Sequence, residues 1–118
     1  MKILDSGNRR EFPTGAVRDM EEGKGRFDLL PMCAIRRLAI HCENGAKKYG
    51  ERNCEKGIPT SSLMDSAMRH LTKYIEGWND EDHLVSAFWN IAMCMYMEEY
   101  KPEMLNLPWQ KEKNEVSE

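Results

Sequence analysis

The chain has 118 residues, 41% of them hydrophobic and 31% charged, and a formal net charge of -3. That length accommodates one domain with a modest core, and the composition is that of a folded soluble protein rather than a disordered chain. The acidic balance argues against a general nucleic-acid binder, and no apolar run approaches the roughly 18 residues needed to span a bilayer.

Residues 1–30 read as an irregular arm, because Gly7, Pro13-Thr14-Gly15, Gly23 and Gly25 interrupt any long helix or strand. Arg9, Arg10, Arg18, Lys24 and Arg26 alternate there with Asp19, Glu21, Glu22 and Asp28. Such mixing describes a solvated surface, or an arm that delivers cations to a site. No signal-peptide pattern opens the sequence, so a cytoplasmic location is expected.

A helical bundle is expected over 31–109. Pro31 suits a first helical turn, and Met32, Ile35, Leu38, Ala39, Cys42, Ala46 and Tyr49 then recur at helical spacing to about residue 49. Arg36, Glu43 and Lys47 fall on one flank of that stripe, with Arg37, His41 and Lys48 on the far side. Glu43 and Lys47 form a favourable i,i+4 pair. Lys47, Lys48 and Gly50 fit a helix stop, while Lys47, Lys48 and Arg52 held together would also suit a phosphate chain.

Ser61 or Ser62 is expected to cap a second helix ending near Gly77, with Leu63, Met64, Ala67, Met68, Leu71, Tyr74 and Ile75 on its buried face. His70 lies at the edge of that face, and Arg69 sits with Asp65 and Lys73 on the polar side. Asn79-Asp80-Glu81-Asp82 is a dense helix-start signal. The third helix is apolar on most sides, from Leu84 through Met97, except for a quadrant holding Asp82, His83, Ser86 and Asn90. Polar groups on a buried helix must be paired internally, hydrated or used. Beyond Tyr100, Pro102 and Pro108 break helicity; Leu105, Leu107 and Trp109 are placed to pack back, and 110–118 reads as a flexible tail. Cys33, Cys42, Cys54 and Cys94 make no C-x-x-C pair, so neither a zinc knuckle nor a dithiol motif is suggested; Cys33, Cys42 and Cys94 read as reduced core or boundary residues.

These pieces together carry a resemblance. Thr14-Gly15-Ala16-Val17-Arg18-Asp19, Gly23-Lys24-Gly25-Arg26-Phe27-Asp28-Leu29-Leu30-Pro31, Gly45-Ala46-Lys47-Lys48-Tyr49-Gly50-Glu51-Arg52-Asn53, Arg69-His70-Leu71 and Asp82-His83-Leu84 with Asn90 stand in an order similar to that of the phage and bacterial dATP/dGTP diphosphohydrolase family. That family is related to the MazG-like all-α nucleoside triphosphate pyrophosphohydrolases. The resemblance implies an all-α, MazG-like antiparallel bundle, a homo-oligomer, and a location in the host cytoplasm if the chain is phage-encoded. It further implies hydrolysis of a purine deoxynucleoside triphosphate to monophosphate and pyrophosphate, assisted by Mg2+ or Mn2+. No membrane and no nucleic acid is expected as a partner.

Carried onto this sequence, the resemblance points to Lys24, Arg26, Lys47, Tyr49, Arg52, Asn53 and Arg69 for substrate and to His70, Asp82, His83 and Asn90 for catalysis. Glu43 and Asp82 are the carboxylates expected to hold the metal, on magnesium's preference for oxygen ligands and not on the resemblance. Two departures accompany it. Cys54 stands where the family typically has tryptophan, and the E-x-x-E and E-x-x-D pairs of the wider MazG-like group are absent at the expected places. A noncatalytic nucleotide-binding or protein-interaction module of the same fold is the alternative reading.

Overall fold

The computed structural model describes residues 5–116 and divides into two compact units, 1–31 and 32–118. In the first, a short antiparallel hairpin replaces the irregular arm expected from the sequence. Strands β1 (Arg9–Glu11) and β2 (Val17–Asp19) pair with Arg9 opposite Asp19 and Glu11 opposite Val17. Pro13-Thr14-Gly15 forms the turn between them: Gly15 takes a φ of +90°, and the Phe12 N–H donates to the Ala16 carbonyl at 2.8 Å. Strands of three residues are too short for an alternating pattern to be seen in a charged sequence.

The second unit is all-helical. Helix α1 (Met32–Tyr49) follows Pro31 and stops at Gly50, whose φ of +94° supplies the left-handed turn after Lys47 and Lys48. Helix α2 (Thr60–Ile75) ends at Gly77 with the Trp78 N–H reaching back to the Lys73 carbonyl at 3.0 Å, a glycine-terminated helix end. Helix α3 (His83–Tyr100) begins at Asp82, which accepts a hydrogen bond from the Val85 N–H at 3.1 Å, and ends one residue before Lys101-Pro102. Helix α3 packs most extensively on α2 and also on α1.

Neither Ser61 nor Ser62 caps α2, as the sequence suggested. The helix starts earlier, after Pro59, and the Ser61 N–H is satisfied instead by the Asn106 side chain at 2.9 Å. This cap comes from 45 residues along the chain. Thr60, almost fully buried, donates to Gln110 Oε1 at 2.8 Å and accepts from the Asn106 N–H at 3.1 Å; Gln110 Oε1 also accepts from the Leu107 N–H at 2.9 Å. Helix α4 (Pro108–Val116) therefore crosses the boundary at 110 where a tail was expected, with Gln110 as its buried anchor.

The core centres on Met97, Leu63 and Cys54, with Ile58, Met93 and Met104 packed around them. Burial pushes the Cys54 thiol up to about 11. Ala67, Val85 and Ala87 are buried as well, whereas Met68, Leu71, Tyr74 and Ile75, expected on the inner face of α2, are exposed. Cys33 and Cys42 are likewise exposed rather than at a core boundary. Helix α1 buries none of its 18 residues fully.

Candidate functional site

A cleft of about 350 Å³ opens between α1 and the start of α3, lined by Arg37, Ile40, His41, Asn44, Glu81, Asp82, Val85 and Ser86. Arg37, His41 and Asn44 recur at i, i+4 and i+7, so one face of α1 presents a guanidinium, an imidazole and an amide in a row. Val85 is buried and supplies an apolar wall, while Asp82 and Glu81 lie where α3 begins. The aligned amides of a helix start favour anionic groups there.

Arg37 grips Asp82 from the opposite wall. Its Nε donates to Asp82 Oδ2 at 2.8 Å and its Nη2 to Asp82 Oδ1 at 2.5 Å. These hydrogen bonds hold the Asp82 carboxyl below the usual carboxylate range. His41 stacks obliquely on Trp89, ring centres 5.4 Å apart. Burial lowers its pKa, against the opposing pull of Asp82 and Glu81.

A polar seam runs from α3 toward α2. His83, buried, sets its Nδ1 2.9 Å from His70 Nδ1 and its Nε2 2.7 Å from Asp80 Oδ1. Asn90 donates to the Ser86 carbonyl at 2.8 Å and lies 3.3 Å from Ser66 Oγ. The quadrant read from the sequence thus divides: His83 and Asn90 are paired along the α2–α3 seam and with the turn before α3, while Asp82 turns to Arg37 and Ser86, beside Glu81, lines the cleft with it. Asn90 is absorbed in internal pairing, as buried amides require.

The expected substrate cations are each engaged by a nearby carboxylate. Lys47 pairs with Glu43 at 3.7 Å, Arg52 with Glu55 at 2.7 Å, and Arg69 with Asp65 one turn away. Within the first unit, Lys24 lies 3.6 Å from Asp19 and Arg26 2.8 Å from Asp28. Arg52 also holds a left-handed backbone, φ +57°, at the start of the turn Asn53–Lys56. Tyr49 is exposed beneath the Lys48 ammonium, 5.1 Å from its ring centre. Glu43 does not line the cleft that holds Asp82, so the expected metal pair is not brought to one cleft wall. The sequence reading missed Arg37, His41 and Asn44 as site residues, although their shared face was the available signal.

A family model described as dATP/dGTP diphosphohydrolase, N-terminal, matches residues 14–106. The chain belongs to the dATP/dGTP diphosphohydrolase N-terminal family. No curated protein and no solved structure matches it. The stretch shared with the diphosphohydrolase family takes in α1, α2, α3 and every residue lining the cleft, and stops just before α4. Among the described residues, no helix is long and apolar enough to cross a membrane.

Proposed function

We propose that this chain hydrolyses purine deoxynucleoside triphosphates, dATP or dGTP, to the monophosphate and pyrophosphate, using the α1–α3 cleft. The observation that carries the reading is that the family match spans the whole cleft from Arg37 to Ser86. A water oxygen joins phosphorus at the bridge between the α and β phosphates, the bridging bond breaks, and pyrophosphate leaves. Arg37 is suited to hold phosphate oxygens, since its planar fork matches them as it matches the Asp82 carboxylate. His41, kept neutral by its burial, can accept the proton of the attacking water, and the Asn44 amide can hold an oxygen in place.

Magnesium prefers oxygen ligands and is commonly bound by one or two carboxylates together with substrate phosphates. Asp82 fits that habit: it is a carboxylate kept ionised by its neighbour, on the wall of an open cleft. When bound, the ion would supply charge neutralisation for the phosphates and a more acidic water. Both Asp82 oxygens face Arg37, so the arriving triphosphate would draw Arg37 onto itself and leave the carboxylate available. Glu43, held by Lys47, takes no part in this reading.

The exposed apolar stripes support a homo-oligomer. Phe88, Ile91 and Met95 recur at i, i+3 and i+7 along α3, and Met68, Leu71 and Ile75 do the same along α2; all are exposed. Together with an α1 that buries nothing fully, they leave apolar faces of the kind a second copy covers. Sedimentation should show a species heavier than the 13.8 kDa chain; a monomer at high micromolar concentration would exclude the assembly.

The functional test is product analysis. Purified protein with dATP or dGTP and magnesium should release pyrophosphate and the monophosphate in equal amounts. Orthophosphate release would refute this chemistry. Nucleotide binding with no product would select the noncatalytic module, a second reading favoured by the absence of Glu43 from a cleft whose carboxylates are Glu81 and Asp82.

A further inference from the structure

We propose that His70, Glu81 and His83 form a binding site for a divalent cation of the zinc class, one that takes nitrogen and oxygen ligands in tetrahedral geometry. The proposal does not require the hydrolytic reading, although Glu81 also lines the cleft used there. One ligand atom from each residue falls within 4.8 Å of the others. His70 Nδ1 lies 2.9 Å from His83 Nδ1 and 3.6 Å from Glu81 Oε1. A tetrahedral ion with bonds of about 2.0–2.1 Å holds its ligand atoms about 3.3 Å apart, and the two observed separations straddle that spacing. Glu81, the most exposed of the three, has the freedom to complete the set by a side-chain adjustment.

The surroundings of His83 point the same way. Its Nε2 lies 2.7 Å from Asp80 Oδ1, so that nitrogen carries the proton and donates it to the carboxylate. Its Nδ1 is then an unprotonated lone pair, aimed at His70 in a ring that is 1% exposed. A carboxylate behind a histidine is the usual device for fixing the tautomer of a metal ligand and raising its basicity. Without an ion, the two facing Nδ1 atoms need a proton between them, which only His70 can supply. With an ion, that proton gives way to the cation and the His70 ring carries its proton at Nε2 instead, so the ring remains neutral.

The donor set also selects the ion. Two imidazoles and one carboxylate suit zinc, cobalt or nickel, whereas magnesium takes oxygen and calcium needs six or more oxygens. Three protein ligands leave one position for water or another small ligand. The residues come from the last third of α2 and the turn into α3, so an ion here would tie the two helices together at one end. Occupancy should therefore raise the melting temperature of the full chain, because only the folded state assembles the site.

The test is a titration of the purified, nucleotide-free full chain with Co2+, followed by competition with Zn2+. We expect one equivalent to bind with the visible absorption of a tetrahedral ion, no thiolate charge-transfer band, and an upward shift in melting temperature. His70→Gln and Glu81→Gln, both at positions that do not build the core, should abolish the tetrahedral spectrum and the melting shift while keeping the helical circular dichroism. Asp80→Asn should weaken binding by about 10- to 100-fold, the usual effect of removing a carboxylate behind a ligating histidine. A spectrum unchanged in both His70→Gln and Glu81→Gln overturns the assignment. So does binding that disappears when the exposed Cys33 and Cys42 are replaced by serine, and so does the absence of a tetrahedral spectrum in the wild-type chain.

Discussion

Arg37 and Asp82, 45 residues apart in sequence, meet through two hydrogen bonds of 2.8 and 2.5 Å across the mouth of one cleft. The contact joins the first third of α1 to the cap of α3, and it occupies the two charged groups of the cleft that the proposed function assigns to a polyphosphate and its cation. Both side chains are substantially exposed, so the pair is too well hydrated to be explained as a large source of stability.

Arg37→Ala should lower kcat/KM for pyrophosphate release by about 10- to 100-fold, the loss expected for one charged hydrogen bond. The melting temperature should move little. Arg37→Lys should recover only part of the activity, because an ammonium cannot reproduce the two-point geometry. A variant that melts early but turns over normally would make the pair purely structural.

Asp82→Asn should keep α3 capped at Val85, since asparagine caps about as well as aspartate, yet lose the charge that serves the cation. Turnover should fall by at least about 100-fold, as for loss of a preorganised electrostatic group. The variant should also respond less to acid than wild type. The folded-state pKa of Asp82 is depressed from an ordinary 3.8, so its contribution to stability is fully present above that value and is lost as pH falls through the folded value. Urea melts of wild type and Asp82→Asn below about pH 5 should converge as the pH drops.

His41 and His70 give the opposite end of the acid range. Burial lowers both from an ordinary 6.5, so in the interval below 6.5 the unfolded chain binds protons that the folded chain refuses. Stability should therefore fall as pH drops through that interval, and stop falling on this account once the folded values are passed. His41→Gln and His70→Gln should each flatten the slope of unfolding free energy against pH between about 7 and 5. An unchanged slope in both would show that the two rings titrate alike in the folded and unfolded chains.

Thr60→Val removes the hydroxyl that serves Gln110 and the Asn106 N–H while keeping the side-chain shape. Urea unfolding should show a loss of about 1–3 kcal/mol, the cost of leaving a buried polar group unpaired. Pyrophosphate release at temperatures where the variant is folded should stay near wild type, because the knot lies outside the cleft residues.

Much of the helical plan was legible along the chain. Pro31 and Gly50 bracket α1, Gly77 ends α2, and the run from Asn79 to Asp82 opens α3, because helix ends are written in local residues. The site was less legible, because its partners are distant in sequence. Nothing beside Ser61 indicates that Asn106 will cap it, and nothing beside Asp82 indicates Arg37. Met68, Leu71, Tyr74 and Ile75 follow an inward-facing spacing but remain exposed, since periodicity marks an apolar face without saying what covers it. The hairpin escaped notice for a different reason: its strands carry more charge than pattern.

Cys54 offers a clock for the core. Its thiol is buried beside Leu63 and Met97 and raised to about 11, whereas Cys33 and Cys42 stand in solvent. At neutral pH a thiol-specific reagent should label the two exposed sites promptly and reach Cys54 only when the packing around Met97 opens. In a variant with Cys33, Cys42 and Cys94 replaced by serine, the labelling rate of the remaining sulfur would report how often the centre of the bundle breathes. Following that rate with and without nucleotide would measure whether events at the α1–α3 cleft are felt at the opposite end of α3.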